Sequence, residues 1–376
     1  MERLKFGMVG GGFDSFIGDV HIRSARFDGL GVLCAGCFSS RHEKTLRTGA
    51  RYGLSPDRLY PDFETMAVQE SSLKDGIDFV IIATPNHLHY AAAKAFLQHG
   101  IHVVCDKPLT HTAAQAEELE RLAAQNDLLF CVTYVYSGYA AIPAMRKLID
   151  DGVLGDIRTI DASYKQGWLA ANVEAEGQNI ASWRLDPNIA GASMCVADIG
   201  VHALNLISRT TGLRVKEALA MMECIGRGRV LDTNAHVLMR YDTGASGHLW
   251  CSGIAIGHDN DLSIGVYGSL GSLQWKQEDP EHFKLCLLNG PVQEYAMGGR
   301  MESAGGGFSR MPAGCVEGYY EAFANVYRAF MQSLLQHKQK KPAAHDYPSI
   351  ADGVEGVRFI EACVRSAQTG NSWVLV

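Results

Sequence analysis

The first 134 residues alternate short β-branched or apolar runs with amphipathic helical stretches, an order that few folds can accommodate. Each strand has to be carried back to the same edge by a crossover, and a parallel sheet results. Strands are predicted at Leu4 to Val9, Leu30 to Phe38, Phe79 to Ala83, Ile101 to Cys105 and Leu128 to Thr133, with helices between them. Thr112 to Gln125 is rich in Ala, Glu and Leu and reads as a helix capped by Thr110 or Thr112. Beyond Tyr134 the alternation stops. A helix at Ala140 to Asp150, closed by Gly152, precedes strand-like runs at Ile157 to Gln166, Lys216 to Cys224, Ala235 to Tyr241, Ser246 to Gly253, Leu262 to Tyr267 and Ser272 to Trp275. Consecutive strands with short turns predict a second, mostly antiparallel sheet. Helices are expected at Val196 to Arg209, Tyr320 to Gln336 and Ile350 to Ala367, and Gly298 to Gly307 is a glycine-rich loop. A chain of 376 residues with 47% hydrophobic content can bury two cores, and one uninterrupted core of that size would be unusual. The expected division is an α/β domain over residues 1–134 and an α+β domain over 135–376.

The net charge of −7 is spread without any basic block, so nucleic acid and anionic membrane are poor partners. The longest apolar runs fall short of the roughly 20 residues a bilayer needs. Met1-Glu2-Arg3 leads straight into a strand, leaving no room for a signal peptide, and a cytoplasmic protein is expected. The ten cysteines are scattered through apolar segments and are expected to be reduced and buried. Cys34-Ala-Gly-Cys37 has redox or metal spacing but lies inside a strand-like run, so it too reads as structural.

Cys105-Asp106-Lys107-Pro108 hangs a cation off the carboxyl end of a predicted buried strand. Pro108 removes a ladder donor and ends the strand, and it biases Lys107 toward extended backbone. In an open parallel sheet the crevice outside the strand carboxyl ends is the default ligand site, so the Lys107 ammonium is a candidate catalytic or anchoring group. A solvated loop lysine is the plain alternative.

The first strand is followed by Val9-Gly10-Gly11-Gly12-Phe13-Asp14-Ser15-Phe16-Ile17-Gly18, with a helix expected from near Asp19. Gly10 and Gly12 meet the G-x-G-x-x-G spacing; Ser15 stands third and Gly18 comes three residues late, which implies a longer turn. Such a turn at a helix amino terminus is expected to hold a dinucleotide pyrophosphate, with Phe13 and Ile17 among its contacts. At the end of the second strand an NAD site usually carries Asp or Glu. Here Ser39, Ser40 and Arg41 follow Phe38, and two hydroxyls with a guanidinium permit NADP as well as NAD.

Thr84-Pro85-Asn86-His87-Leu88-His89 follows the third strand, with Asn86 as the expected helix cap. The two histidines have H-x-H spacing, but no further ligand completes a zinc set. No metal is expected, and Thr84, Pro85, Asn86 and His89 are assigned to the cofactor side. In Ala197-Asp198-Ile199-Gly200-Val201-His202 a carboxylate and an imidazole fall four residues apart on one predicted helix face. A hydride leaves a secondary alcohol only as the hydroxyl proton goes to a base, and histidine suits that task. Gly200 between them suggests the close approach of a ligand. Tyr164-Lys165-Gln166-Gly167-Trp168 and Trp183-Arg184 supply aromatic faces with polar anchors, as a sugar site requires. Trp250 and Trp275 lie in strand-like runs and read as core.

Taken in order, the glycine turn, Thr84-Pro85-Asn86-x-x-His89, Asp106-Lys107-Pro108, Trp183-Arg184 and Asp198-Ile-Gly-x-His202 resemble the glucose-fructose oxidoreductase, inositol dehydrogenase and rhizopine-catabolism (Gfo/Idh/MocA) family over essentially the whole chain. The Tyr-x-Gln-x-Trp run resembles its sugar-oxidising members. The resemblance implies a Rossmann domain, then a domain with a large open sheet whose outer face mediates homodimers or homotetramers. It also implies NAD(P)-linked oxidation of a sugar or cyclitol hydroxyl, or the reverse reduction. Carried over by position, Lys107 bonds the reacting hydroxyl, His202 takes its proton and Asp198 orients substrate or lysine. Tyr164, Trp183 and Arg184 line the sugar pocket, and Asp106 and Lys107 touch the cofactor. Two departures stand out: Asp106 replaces the family's more frequent Glu, and Cys315-Val316 replaces a His-Pro before Glu317-Gly318-Tyr319. A glycoside hydrolase that keeps NAD bound and oxidises transiently is the alternative from the same family. A noncatalytic cofactor sensor is the third class, and the presence of Lys107, Asp198 and His202 argues against it.

Overall fold

The computed structural model describes residues 3–173, 183–298, 307–342 and 346–376; residues 299–306 of the expected glycine-rich loop lie outside these ranges. Two compact units emerge, one of Met1–Tyr134 with Phe323–Val354 and one of Val135–Ala322 with Glu355–Val376. A single cut after Tyr134 misses the return of residues 323–354 to the first sheet. Phe330 meets Phe79 of that sheet edge-on, and Tyr347 meets Phe330, each pair with ring centroids 5.3 Å apart. Helical periodicity shows that a segment has an apolar face but not which sheet it will cover.

In the first unit β1 (Leu4–Gly10), β2 (Gly31–Cys37), β3 (Phe79–Ala83), β4 (His102–Cys105) and β5 (Phe130–Val132) form a parallel sheet in the order β2-β1-β3-β4-β5. All five residues of β3, Phe-Val-Ile-Ile-Ala, are buried, as a central strand covered on both faces must be. The crossovers carry α1 (Phe16–Arg26), α2 (His42–Arg51), α3 (Phe63–Ser72), α4 (His89–Gln98) and α5 (Ala113–Gln125). Thr112 caps α5 by accepting from the Gln115 amide at 3.3 Å, while Thr110 donates to the Thr112 carbonyl at 2.8 Å. The strand order reverses between β1 and β3, and in such a sheet the crevice at that point takes the ligand.

The second unit opens on a short 3-10 turn (Val135–Gly138) followed by α6 (Ala141–Asp150), and contains a nine-stranded sheet, β13-β12-β11-β10-β6-β9-β8-β7-β14. Its strands are β6 (Ile157–Lys165), β7 (Val215–Glu223), β8 (Asn234–Tyr241), β9 (Ser246–Ser252), β10 (Asp261–Gly268), β11 (Gly271–Lys276), β12 (His282–Leu287), β13 (Val292–Ala296) and β14 (Val374–Leu375). Neighbours pair antiparallel except β6 with β9. The last three strands escape the sequence reading. β13 has four exposed residues out of five and so no apolar alternation to read, and β14 is two residues long. Trp275 is buried as expected, but Trp250 is only half-buried. Strand period two sets it on the face opposite the buried Leu249 and Cys251, where its ring lies parallel to His236 at 5.5 Å.

All ten cysteines are free thiols. Cys37 is buried in β2, and burial pushes its thiol up to about 12, which suits a structural residue. Among the described residues no helix is long and apolar enough to cross a membrane.

Candidate active site

Gly10 stands at φ +81°, and a Cβ there would lie 2.3 Å from the Ala83 carbonyl oxygen, so only glycine lets β1 end beside β3. The helix α1 starts at Phe16, three residues before the expected Asp19, because Ser15 caps it by accepting from the Gly18 amide at 3.2 Å. A Cβ on Gly18 would fall 2.4 Å from the Cα of Gly11. Gly18 therefore performs the close packing of helix on turn that a third motif glycine performs elsewhere. The turn leaves bare backbone at the positive end of α1, and its residues fit a dinucleotide pyrophosphate. Phe13 lies beneath Lys44 and Arg47, whose charged groups are 5.6 and 4.9 Å from its ring centroid, and Ile17 is half-buried in the first turn of α1.

After β2, Ser39 is half-buried and Ser40 and Arg41 are exposed. Arg41 occupies the N-cap position of α2 without a side-chain capping bond. Asp14, the carboxylate of the glycine turn, pairs with Lys44 at 2.5 Å, and that hydrogen bond holds its carboxyl below the usual range. This corner is thus net cationic.

The loops after β3 and β4 are built around buried polar groups. Asn86 is buried and opens a short 3-10 turn, so it does not cap α4, whose N-cap is Leu88. His89 is 1% exposed, with Nδ1 2.8 Å from the Pro108 carbonyl oxygen and Nε2 2.9 Å from that of Thr84. Burial lowers its pKa, against the raising influence of Asp106 and of the two carbonyls. A ring spent on two carbonyls has no nitrogen left for a metal or a ribose, so the expectation of direct cofactor contact is corrected to support of the loops. Asp106 is turned inward too. Its Oδ1 accepts from the Lys107 amide and from the Thr133 hydroxyl, both at 2.9 Å, and its Oδ2 lies 3.8 Å from His21 Nε2. Burial works to raise its pKa, but His21, Lys107 and His89 outweigh it and hold the carboxyl far below the usual carboxylate range. The shorter side chain in place of Glu is therefore the pin of the Lys107 loop. Lys107 itself is half-buried, and its bond to Pro108 is cis.

In the second unit, Val196–Gly200 forms a π-turn that leads into the helix Val201–Thr211. The wider i→i+5 turn breaks the α-helical face on which the sequence placed Asp198 and His202. Its amino end is capped from far along the chain: Asp232 accepts from the Met194 amide at 2.7 Å and the Val196 amide at 3.0 Å. Burial pushes the Asp232 carboxyl up, and the amide bonds oppose it. Removing that carboxylate would leave two buried amides unmet, at about 1–3 kcal/mol each. Gly200 packs closely on β9, where a Cβ would sit 3.2 Å from Cys251 Sγ. Asp198 pairs with Arg184 at 3.4 Å, and the Arg184 guanidinium lies 4.4 Å from the Trp183 ring centroid.

His202 is buried, with Tyr136 edge-on at 4.8 Å and Tyr164 at 6.2 Å between centroids. Tyr164 is only 3% exposed, so it backs His202 instead of offering an open wall. Its hydroxyl meets that of Tyr136 and donates to Asn260 Oδ1 at 2.5 Å. Gln166 donates to the same oxygen at 3.1 Å and accepts from Trp168 Nε1 at 2.9 Å. Sequence reasoning missed Tyr136, Asn260 and Asp232. The aromatic run Tyr134-Val135-Tyr136 just after β5 was the available signal for the first; the other two lie in connections with no motif around them.

A family model described as an oxidoreductase family with an NAD-binding Rossmann fold matches residues 4–134, and one described as a GFO/IDH/MocA C-terminal domain matches 142–274. An uncharacterized oxidoreductase, YfiI, of Bacillus subtilis (strain 168) is 35% identical over 381 residues, covering 99% of this chain and 96% of that protein. An inositol dehydrogenase homologue from Azotobacter vinelandii, solved with NAD+, superposes with a TM-score of 0.94 at 38% identity, over 100% of this chain and 98% of that one. An inositol dehydrogenase homologue from the same organism, solved with NADH and myo-inositol, gives 0.93 at 36% identity with the same coverage.

Proposed function

We propose that this chain, which belongs to the Gfo/Idh/MocA family of NAD-binding oxidoreductases, oxidises a secondary hydroxyl of a cyclitol or pyranose, or reduces the corresponding ketone. The observation that carries the reading is Lys107, placed on the loop after β4 along the same carboxyl edge as the glycine cradle after β1. The myo-inositol in a neighbour 36% identical over the whole chain puts cyclitols first among substrates. The dinucleotide, once bound, supplies the hydride acceptor or donor. Gly10, Gly12, Phe13 and Ile17 hold its pyrophosphate side, and Thr84, Pro85 and Asn86 border its nicotinamide side. Lys107 donates a hydrogen bond to the reacting oxygen, and His202 takes the hydroxyl proton. Asp198, held by Arg184, orients a second hydroxyl, and Trp183 offers an apolar face to the ring. Screening inositols and pyranoses against NAD and NADP by absorbance is expected to show cofactor reduction with at least one of them. Glycosides that release free sugar while the cofactor absorbance stays flat would sink the dehydrogenase reading and favour the hydrolase.

Arg41 sets the cofactor choice in this reading, because Ser39, Ser40 and Arg41 stand at the end of β2 where an NAD site usually carries a carboxylate that would repel a 2′-phosphate. Arg41→Ala is expected to weaken NADPH binding by about 10-fold, in line with loss of one charge-assisted hydrogen bond. NADH binding should stay as it was. Fluorescence titration of both reduced cofactors reads the difference, and an equal effect on the two would remove Arg41 from the 2′ position.

A further inference from the structure

The loops after β3 and β4 meet at one buried side chain, His89, whose two nitrogens each face a carbonyl oxygen at hydrogen-bond distance. A carbonyl can only accept, and a neutral imidazole carries a single N–H. At 2.8 and 2.9 Å a neutral ring makes one hydrogen bond and turns a lone pair toward the other oxygen. Only the ring with a proton on each nitrogen satisfies both. We propose that His89 is a positioning residue for Lys107, a proton-dependent clamp that ties the Thr84 carbonyl to the Pro108 carbonyl when charged and must release one of them when neutral.

The groups around the ring support a charged state without making it permanent. Burial, the largest influence, lowers the His89 pKa, and the nearby His111 adds to that; Asp106, the half-buried carboxylate of the same loop, and the two carbonyls act in the opposite direction. Asp106 is itself held ionised by His21, Lys107 and His89, so a half-buried counter-charge is in place. The second proton of His89 is consequently the more weakly held, and it leaves on the acid side of the ordinary histidine range. Pro108 is the residue after Lys107, so a ring that keeps only Thr84 gives up a tie beside the Lys107 amide that Asp106 accepts from. The consequence for turnover rests on the role proposed above for Lys107; the protonation of His89 does not.

The test is an NMR titration of the cofactor-free protein labelled with 15N in its histidine rings, with His89→Gln assigning the signals. Two protonated nitrogens at the acid end, passing to one below about pH 6.5, the ordinary histidine value, is the expected result. A ring that carries one proton at every pH at which the protein stays folded would overturn the clamp. Glutamine can donate to one carbonyl but not bridge two, so at the acid end, where the wild-type ring bridges both, His89→Gln should lower the kcat of ketone reduction by about 10- to 100-fold through displacement of Lys107. Above that range, where a neutral ring also holds only one carbonyl, the variant should match the wild type. NADH affinity should move by no more than about two-fold, the scatter of a neutral substitution. An unchanged kcat at the acid end would overturn the positioning role while leaving Lys107, tested by its own variant, untouched.

Discussion

Replacing Lys107 by methionine is expected to lower kcat by about 10²- to 10³-fold, the usual effect of removing one donor aimed at a developing oxyanion. As hydride leaves the carbon, negative charge gathers on the hydroxyl oxygen, and an ammonium that donates to it stabilises the transition state more than the bound alcohol. Methionine keeps the length and the apolar stem and offers no N–H. The loop should survive, because it is fastened through the Lys107 backbone: Asp106 accepts from the amide at 2.9 Å and from Thr133 at the same distance, whatever side chain follows. Cofactor affinity, read by NADH fluorescence, should therefore change by about two-fold at most, the scatter of a neutral substitution. Loss of binding together with turnover would instead make Lys107 a cofactor anchor and remove the role assigned to it. Arginine is a poor rescue, since its planar fork cannot present a point charge in the same place.

How far that argument could be made from sequence depends on which interactions are local. The strands of the first unit were legible because a strand covered on both faces reads as an apolar run, as Phe79–Ala83 does, bounded by turn residues. The glycine turn was legible as a motif, but its register was not. Ser15 starts α1 at Phe16, and Gly18, late by the motif's count, is the residue that packs against Gly11. Sequence placed Asp106 and His89 at the correct edge without showing the partners that hold their side chains. Which way each side chain turns is decided by His21, Thr133, Thr84 and Pro108, partners 5 to 85 residues away that no spacing rule contains. The same holds in the second unit. Val196 to Arg209 reads as one helix, and its π-turn rests on Asp232, a carboxylate 36 to 38 residues beyond the amides it caps. Trp250 went wrong for a plainer reason: period two says which residues share a face, and nothing local says which face is the core.

The remaining large effect concerns His202. Oxidation should quicken as pH rises through the histidine range and level off above it, because only a neutral imidazole can accept the hydroxyl proton. The sign is fixed by chemistry: below its pKa the ring already holds the proton it has to take, so the acid limb must fall, and in the reductive direction the same ring must donate and the limb reverses. His202→Asn is expected to lower the plateau kcat of oxidation by about 10²- to 10⁴-fold, the range for loss of a general base, and to flatten the limb. The tyrosines sharpen the test. Tyr136 lies edge-on to the ring and its hydroxyl is engaged with Tyr164 and Asn260, so the packing that aims the imidazole does not depend on the imidazole's own charge. Asparagine in that setting should leave substrate KM close to its original value, since Asp198, Arg184 and Trp183 are unaltered, and place nearly the whole effect in kcat. A wild-type profile flat from about pH 5 to 9, the span in which such a base has to titrate, would exclude His202 as the proton acceptor. The proton would then have to leave through another group of the site, and the ion pair of Asp198 with Arg184 would become the first place to look.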